Sequence, residues 1–288
     1  MGLIDFILNL AGLLLWLNWR AARFNPLNRR APATLMGTLR PAVTVPQSRW
    51  PLLAFITALL LLRGFLYRLI SSMTSVWTGT VDLQVIALSF RSDSILRMLE
   101  FSFFSFGVTL GVFYSWLLLL SALAGPEPLH RLVRVQIGRI DAWPAWIKLL
   151  LPAAVAAILW LPASWLLAEI RVVPHAVSVA DELEKALVIG VGQCLTWKYP
   201  VGAVLILHLL NTYIYFGKHP FWNYVGGVAA QLLRPLRGLW ASTRTTTYSP
   251  AVKAATKGLL TFVAIVLTFL VAEFAARGLG RLYARLPI

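Results

Sequence analysis

The chain has 288 residues, 59% of them hydrophobic and only 13% charged, against about a quarter charged in a soluble domain. A mean hydropathy of +0.74 and apolar windows near the roughly 20 residues that a helix needs to cross a bilayer exclude an ordinary soluble protein. The net charge is +15, and the single cysteine, Cys194, excludes an internal disulfide framework or a multi-cysteine metal site.

The first window, residues 3–19, has no basic residue ahead of it and carries Asp5 where a signal peptide would carry Lys or Arg, so it reads as a retained membrane helix. Five further windows follow at residues 51–70, 101–124, 149–168, 197–216 and 250–275. Apolar residues already begin at Leu187, before Trp197-Lys198-Tyr199-Pro200, and predict a short re-entrant or interfacial segment over 187–196. Tryptophans such as Trp16, Trp19, Trp50, Trp143, Trp146, Trp197, Trp222 and Trp240 stand at or near window edges, the depth an amphipathic ring prefers.

Six spans put the first, third and fifth connecting loops on one face. Residues 20–50 carry six Arg and no acid, residues 125–148 four basic residues against two acidic, and residues 217–257 six basic and no acid. Most of the 26 basic residues therefore lie on that face, which the positive-inside rule makes cytoplasmic, with both termini external. Orientation explains the excess charge, and a nucleic-acid partner is not required.

Each basic loop opens with a proline soon after a span: Asn25-Pro26-Leu27, Glu127-Pro128-Leu129 and His219-Pro220-Phe221. Pro26 is followed 15 positions later by Arg40-Pro41, and Pro220 at the same spacing by Arg234-Pro235. Between them Leu27, Ala31, Leu35 and Leu39 recur at helical spacing, as do Phe221, Val225, Val228, Leu232 and Leu236. The middle loop keeps the period in Leu129, Val133, Gln136, Ile137 and Ile140 but lacks the Arg-Pro. The pattern predicts three helix-pair repeats over residues 1–98, 99–186 and 187–288, the second diverged, each with an amphipathic helix in its basic loop. Proline at the first turn starts such a helix, and a second proline ends it. Arg20, Arg23, Arg29, Arg30, Arg40, Arg131, Arg134, Arg234 and Arg237 become candidate contacts for anionic headgroups or partner proteins, at about 1 kcal/mol each near a membrane surface.

Leu233-Arg234-Pro235-Leu236-Arg237 followed by Ser249-Pro250 resembles the signature of the YggT (YlmG) family of bacterial and plastid membrane proteins, and Asn25-Pro26-Leu27 with Leu39-Arg40-Pro41 resembles its first half. The family's Glu-Pro ahead of Leu-Arg-Pro is replaced by Ala230-Gln231 and Gly37-Thr38, and residues 242–248 replace its Gly-Gly-x-Asp. Family members usually have two repeats, so this chain would carry an extra, degenerate one. The resemblance implies a non-enzymatic protein of the bacterial inner membrane linked to envelope or division-site organisation, complex assembly or osmotic adaptation.

Polar residues inside the windows are few. Arg63 costs about 2.5 to 3.5 kcal/mol if central, which predicts either snorkelling with Arg68 or an ion pair with Glu100 or Glu273. His208 stands alone in its span, without a second histidine for a haem site, and reads with Gln193 and Asn211 as interhelical hydrogen bonding or a polar path. Gly107 and Gly111 form a Gly-x-x-x-Gly able to pack a neighbouring helix or a second protomer. No Gly-rich phosphate loop, metal spacing or nucleophile–base arrangement stands out, and no cofactor is expected. The expectation is an all-α, polytopic bundle of about six spans in three repeats, acting as a scaffold or assembly factor on anionic lipid and other proteins. A channel or transporter is the alternative.

Overall fold

The computed structural model describes residues 2–24, 50–73, 77–123, 129–214, 219–236 and 250–286. These form the helices α1 (Gly2–Phe24), α2 (Trp50–Met73), α3 (Ile95–Ala122), α4 (Leu129–Ile137), α5 (Ala145–Glu169), α6 (Val179–Cys194), α7 (Lys198–Tyr213), α8 (Pro220–Leu232) and α9 (Pro250–Arg285), with strands β1 (Thr78–Asp82) and β2 (Ala87–Arg91) between α2 and α3. The α-helical expectation holds, with one departure in the hairpin. Among the described residues five helices, α1, α2, α3, α5 and α9, are long and apolar enough to cross a membrane. The window at residues 197–216 is α7, whose 16 residues rise about 24 Å, short of the roughly 30 Å hydrocarbon core. It continues from α6 through one 3-10 turn, Leu195–Trp197.

Two compact units divide the chain: residues 1–79 with 90–110, and residues 80–89 with 111–288. In the first, α1 packs on α2, and Ile56, Leu60 and Phe106 form a core with Leu15, Trp16 and Leu53 beside it. Gly64 lets α2 and α3 approach closely, because a Cβ there would sit 3.1 Å from the Leu99 Cα and 2.6 Å from its Cδ2. In the second, α5 lies along α6 and α7 along α9. A Cβ on Gly190 would stand 2.5 Å from the Ala153 carbonyl, so small residues bring the α5 and α6 backbones together. The 3-10 turn is held by indoles: Trp116 Nε1 donates to the Thr196 carbonyl at 3.1 Å and Trp197 Nε1 to Ser115 Oγ at 2.7 Å. Trp197 therefore spends its polar tip on a helix contact.

The hairpin alternates exposed and buried residues along both strands. Its turn closes through Leu83 N–H to the Ile86 carbonyl at 2.9 Å, and Asp82 Oδ1 accepts from Gln84 N at 2.7 Å. Gln84 takes a φ of 69°, which the side-chain-to-backbone bond helps an ordinary residue adopt. Val85 at the tip reaches α6, where Gly192 leaves room for it: a Cβ there would stand 2.3 Å from Val85 Cγ2.

The C-terminus of α5 is closed by a paired motif in which Val172 N–H bonds the Leu167 carbonyl at 2.9 Å and Arg171 N–H bonds that of Ala168 at 3.0 Å. Arg171 holds the left-handed position, φ 60°, where glycine is usual. Arg171→Gly relieves the Cβ clash of that conformation and is expected to raise stability by about 1 kcal/mol in detergent unfolding; an unchanged or lowered midpoint would contradict this.

Candidate functional site

The second unit carries an amphipathic pair. On α4, Val133 and Ile137 bury against Leu118 of α3, with Ile140 and Leu151 alongside, and Gly138 ends the helix with a φ of 69°. On α8, Pro220 occupies the first turn, His219 Nδ1 caps it by accepting from Phe221 N at 3.2 Å, and Ala229 packs with Leu233, Leu205, Leu260 and Ala264. The two helices touch each other. Arg131, Arg134, Arg139 and Arg234 are exposed on this surface. Pro235 follows α8 within a further short turn, beyond the helix end at Leu232.

Beneath α4 lies Asp141, at the focus of three helices. Its Oδ1 accepts from Ser121 Oγ at 2.6 Å and its Oδ2 from Arg134 Nε at 2.8 Å. Lys148 Nζ and His130 Nε2 each stand 3.6 Å from Oδ1. Lys148 is buried and donates to Ser121 Oγ at 2.8 Å. Burial opposes ionisation of Asp141, but the Ser121 and Arg134 hydrogen bonds and the Lys148 and His130 charges outweigh it and hold the carboxyl below its usual range. The group locks the Arg-bearing helix to the ends of α3 and α5.

In the first unit a second polar cluster is built from pairs four residues apart, one pair on each helix: Asp5 and Asn9 on α1, Arg63 and Tyr67 on α2, Phe101 and Ser105 on α3. Arg63 is 1% exposed and pairs with Asp5 at 2.9 Å. It also donates to Asn9 Oδ1 at 2.7 Å, Tyr67 OH at 3.3 Å and Ser105 Oγ at 3.4 Å. Asn9 Nδ2 donates to Ser105 Oγ at 2.9 Å, and the Tyr67 hydroxyl donates to Asp5. The Phe101 ring lies 5.2 Å from the guanidinium carbon, a cation–π distance, and packs in turn on Tyr67, Trp77 and Phe90. The partner of Arg63 is thus Asp5, neither Glu100 nor Glu273, and the guanidinium does not snorkel. Asp5 and Asn9 on one face of the first window were the signal for this, separated from Arg63 by more than fifty residues.

The other candidates are scattered. Asn25, Pro26, Leu27, Arg29, Arg30, Arg40, Pro41, Pro128, Arg237 and Ser249 lie outside the described residues. Arg20 is half-buried near the end of α1, Arg23 belongs to its last turn, and Pro250 begins α9. Gln193 is half-buried on α6, His208 buried and Asn211 half-buried on α7; these do not join either cluster. Glu273 pairs with Arg277 at 3.1 Å on the exposed side of α9. Around Gly107 and Gly111 no described atom, apart from their chain neighbours and the backbone of α3 itself, lies within 4 Å of where a Cβ would stand. Among the described residues no group of three or more His, Cys, Asp or Glu could hold a metal ion. No protein-family model matches the chain, and neither a characterised protein nor a solved structure does.

Proposed function

We propose that the chain is an integral membrane scaffold of YggT type, located in a bacterial inner membrane and assembled from three helix-pair repeats over residues 1–98, 99–186 and 187–288. In this reading α6 and α7 together make the fifth of six crossings, and the loops after spans one, three and five face the cytoplasm. The observation that carries it is the contact between α4 and α8, whose apolar sides are buried while Arg131, Arg139 and Arg234 stay exposed. Helices docked this way present cations at a fixed spacing to anionic headgroups and to the acidic surfaces of other proteins, and recruit without catalysing a reaction. The open sides of Gly107 and Gly111 on α3 give room for a second copy of the chain.

Crosslinking and purification at native expression should yield a stoichiometric partner that is lost in the double variant Arg131→Glu, Arg234→Glu, while proteoliposomes show no solute flux. Recovery of the same partner by the double variant would contradict recruitment. A second reading, passage of an ion or small solute, draws on the Asp5–Arg63 cluster inside apolar helices; flux that disappears in Arg63→Leu would establish it instead.

A further inference from the structure

A cavity of about 230 Å³ opens where the C-terminal ends of α5 and α9 meet the N-terminal end of α6. It is smaller than the 300 Å³ or more of a drug-sized site, which limits it to a small ligand group. Its aromatic lining comes from Trp160, Trp165 and Tyr283, and its polar lining from Ser164, His175, Glu182 and Lys185. Trp160 and Ser164 are buried four residues apart on α5, so the indole and the hydroxyl share a face.

Glu182 and Lys185 both line the cavity, and the balance turns negative once Asp181, the partner of Lys185 outside the lining, is counted. Lys185 Nζ stands 2.8 Å from Asp181 Oδ2, and both side chains are buried, so this pair is neutral as a unit. The other Asp181 oxygen, Oδ1, is buried with no hydrogen-bond partner, which adds an uncompensated acceptor to the same helix turn. Glu182 hydrogen-bonds the Ser164 hydroxyl and is not in an ion pair among the described residues, leaving a net negative charge beside three aromatic rings. A carboxylate with indole and phenol rings around it has the chemistry that recognises an organic ammonium: the carboxylate supplies the charge, and the ring faces replace the water lost by N-alkyl groups.

We propose that this cavity binds a small organic ammonium group, primary or quaternary, with Glu182 as its counter-ion and Trp160, Trp165 and Tyr283 as its walls. Such a group arrives either on the headgroup of a zwitterionic phospholipid or as a free amine.

The test uses the full chain in nanodiscs with radiolabelled tetramethylammonium as the probe. Saturable binding is expected, weakened about tenfold or more in Glu182→Gln and also weakened in Trp165→Ala, a substitution at an exposed position that leaves the core intact. Acetate at equal concentration should not compete. Probe binding that is strong in phosphatidylglycerol discs and suppressed in phosphatidylcholine discs identifies a lipid headgroup as the ligand, whereas equal binding in both identifies a free amine. No binding by a monodisperse protein, unchanged binding by Glu182→Gln, or competition by acetate would each overturn the proposal.

Discussion

Asp5→Leu is expected to lower the stability of the detergent-solubilised protein by about 3 to 5 kcal/mol, although it removes one carboxylate near the start of the chain. The reason is what it leaves behind. Arg63 is 1% exposed and Asp5 19%, so without Asp5 the guanidinium keeps its burial and loses its counter-charge. Arg63→Leu should be costly as well, because Asp5 and Asn9 lose their donors on an apolar helix face. The double variant, Asp5→Leu with Arg63→Leu, should recover much of the loss, since an apolar pair of suitable volume dispenses with the desolvation of both ions. Chemical or thermal unfolding of the four proteins gives the coupling directly. The exposed Glu273–Arg277 pair serves as the contrast: both side chains are more than half exposed, and Glu273→Ala should change stability little. Additive losses for Asp5 and Arg63, or an Asp5→Leu protein as stable as the parent, would refute the pairing as a structural lock.

The second lock, around Asp141, is expected to be acid-sensitive. Its carboxyl titrates below the usual value of 3.8 in the folded protein, so folding favours the ionised form. The stabilisation is present above about pH 4, where the unfolded chain also has an ionised carboxyl, and is lost as pH falls through the lower folded value. Stability of the parent protein should therefore drop as pH falls below about 4, and the Asp141→Asn variant should show a shallower drop over the same range. At neutral pH Asp141→Leu should cost about 3 kcal/mol, because Lys148 is buried against Ser121 and would lose its nearest carboxylate. Identical acid profiles for parent and Asn variant would rule out Asp141 as the group responsible.

These two locks also mark where the sequence was informative and where it was not. Hydropathy located α1, α2, α3, α5 and α9 because each is a continuous apolar run long enough to register by itself. Proline at a first turn located α8, which begins at Pro220, and the apolar period located α4. The Asp5–Arg63 contact depends on tertiary packing of three helices, and no local pattern reports it; Asp5 was readable only as a charge in the wrong place for a signal peptide. The hairpin was written in the alternation of Thr80-Val81-Asp82 and Leu88-Ser89-Phe90, a period of two that is easily passed over between two apolar helices. Helix α6 was seen only as an apolar stretch from Leu187, because its first two turns hold Asp181, Glu182, Glu184 and Lys185. Its start is nevertheless signalled by Ser178, whose hydroxyl accepts from Asp181 N at 3.2 Å.

The shared cytoplasmic face of the basic helices is tested most directly by single-cysteine labelling in intact cells. Cys194→Ser removes the one native thiol, after which Arg30→Cys, Arg131→Cys, Arg234→Cys and Val177→Cys are made separately in that background. The first three should be shielded from a membrane-impermeant maleimide and should label once the membrane is opened, and Val177→Cys, beyond the far end of α5, should label from outside. Labelling of Arg30→Cys and Arg234→Cys from opposite compartments would contradict the common face, and with it the recruitment surface.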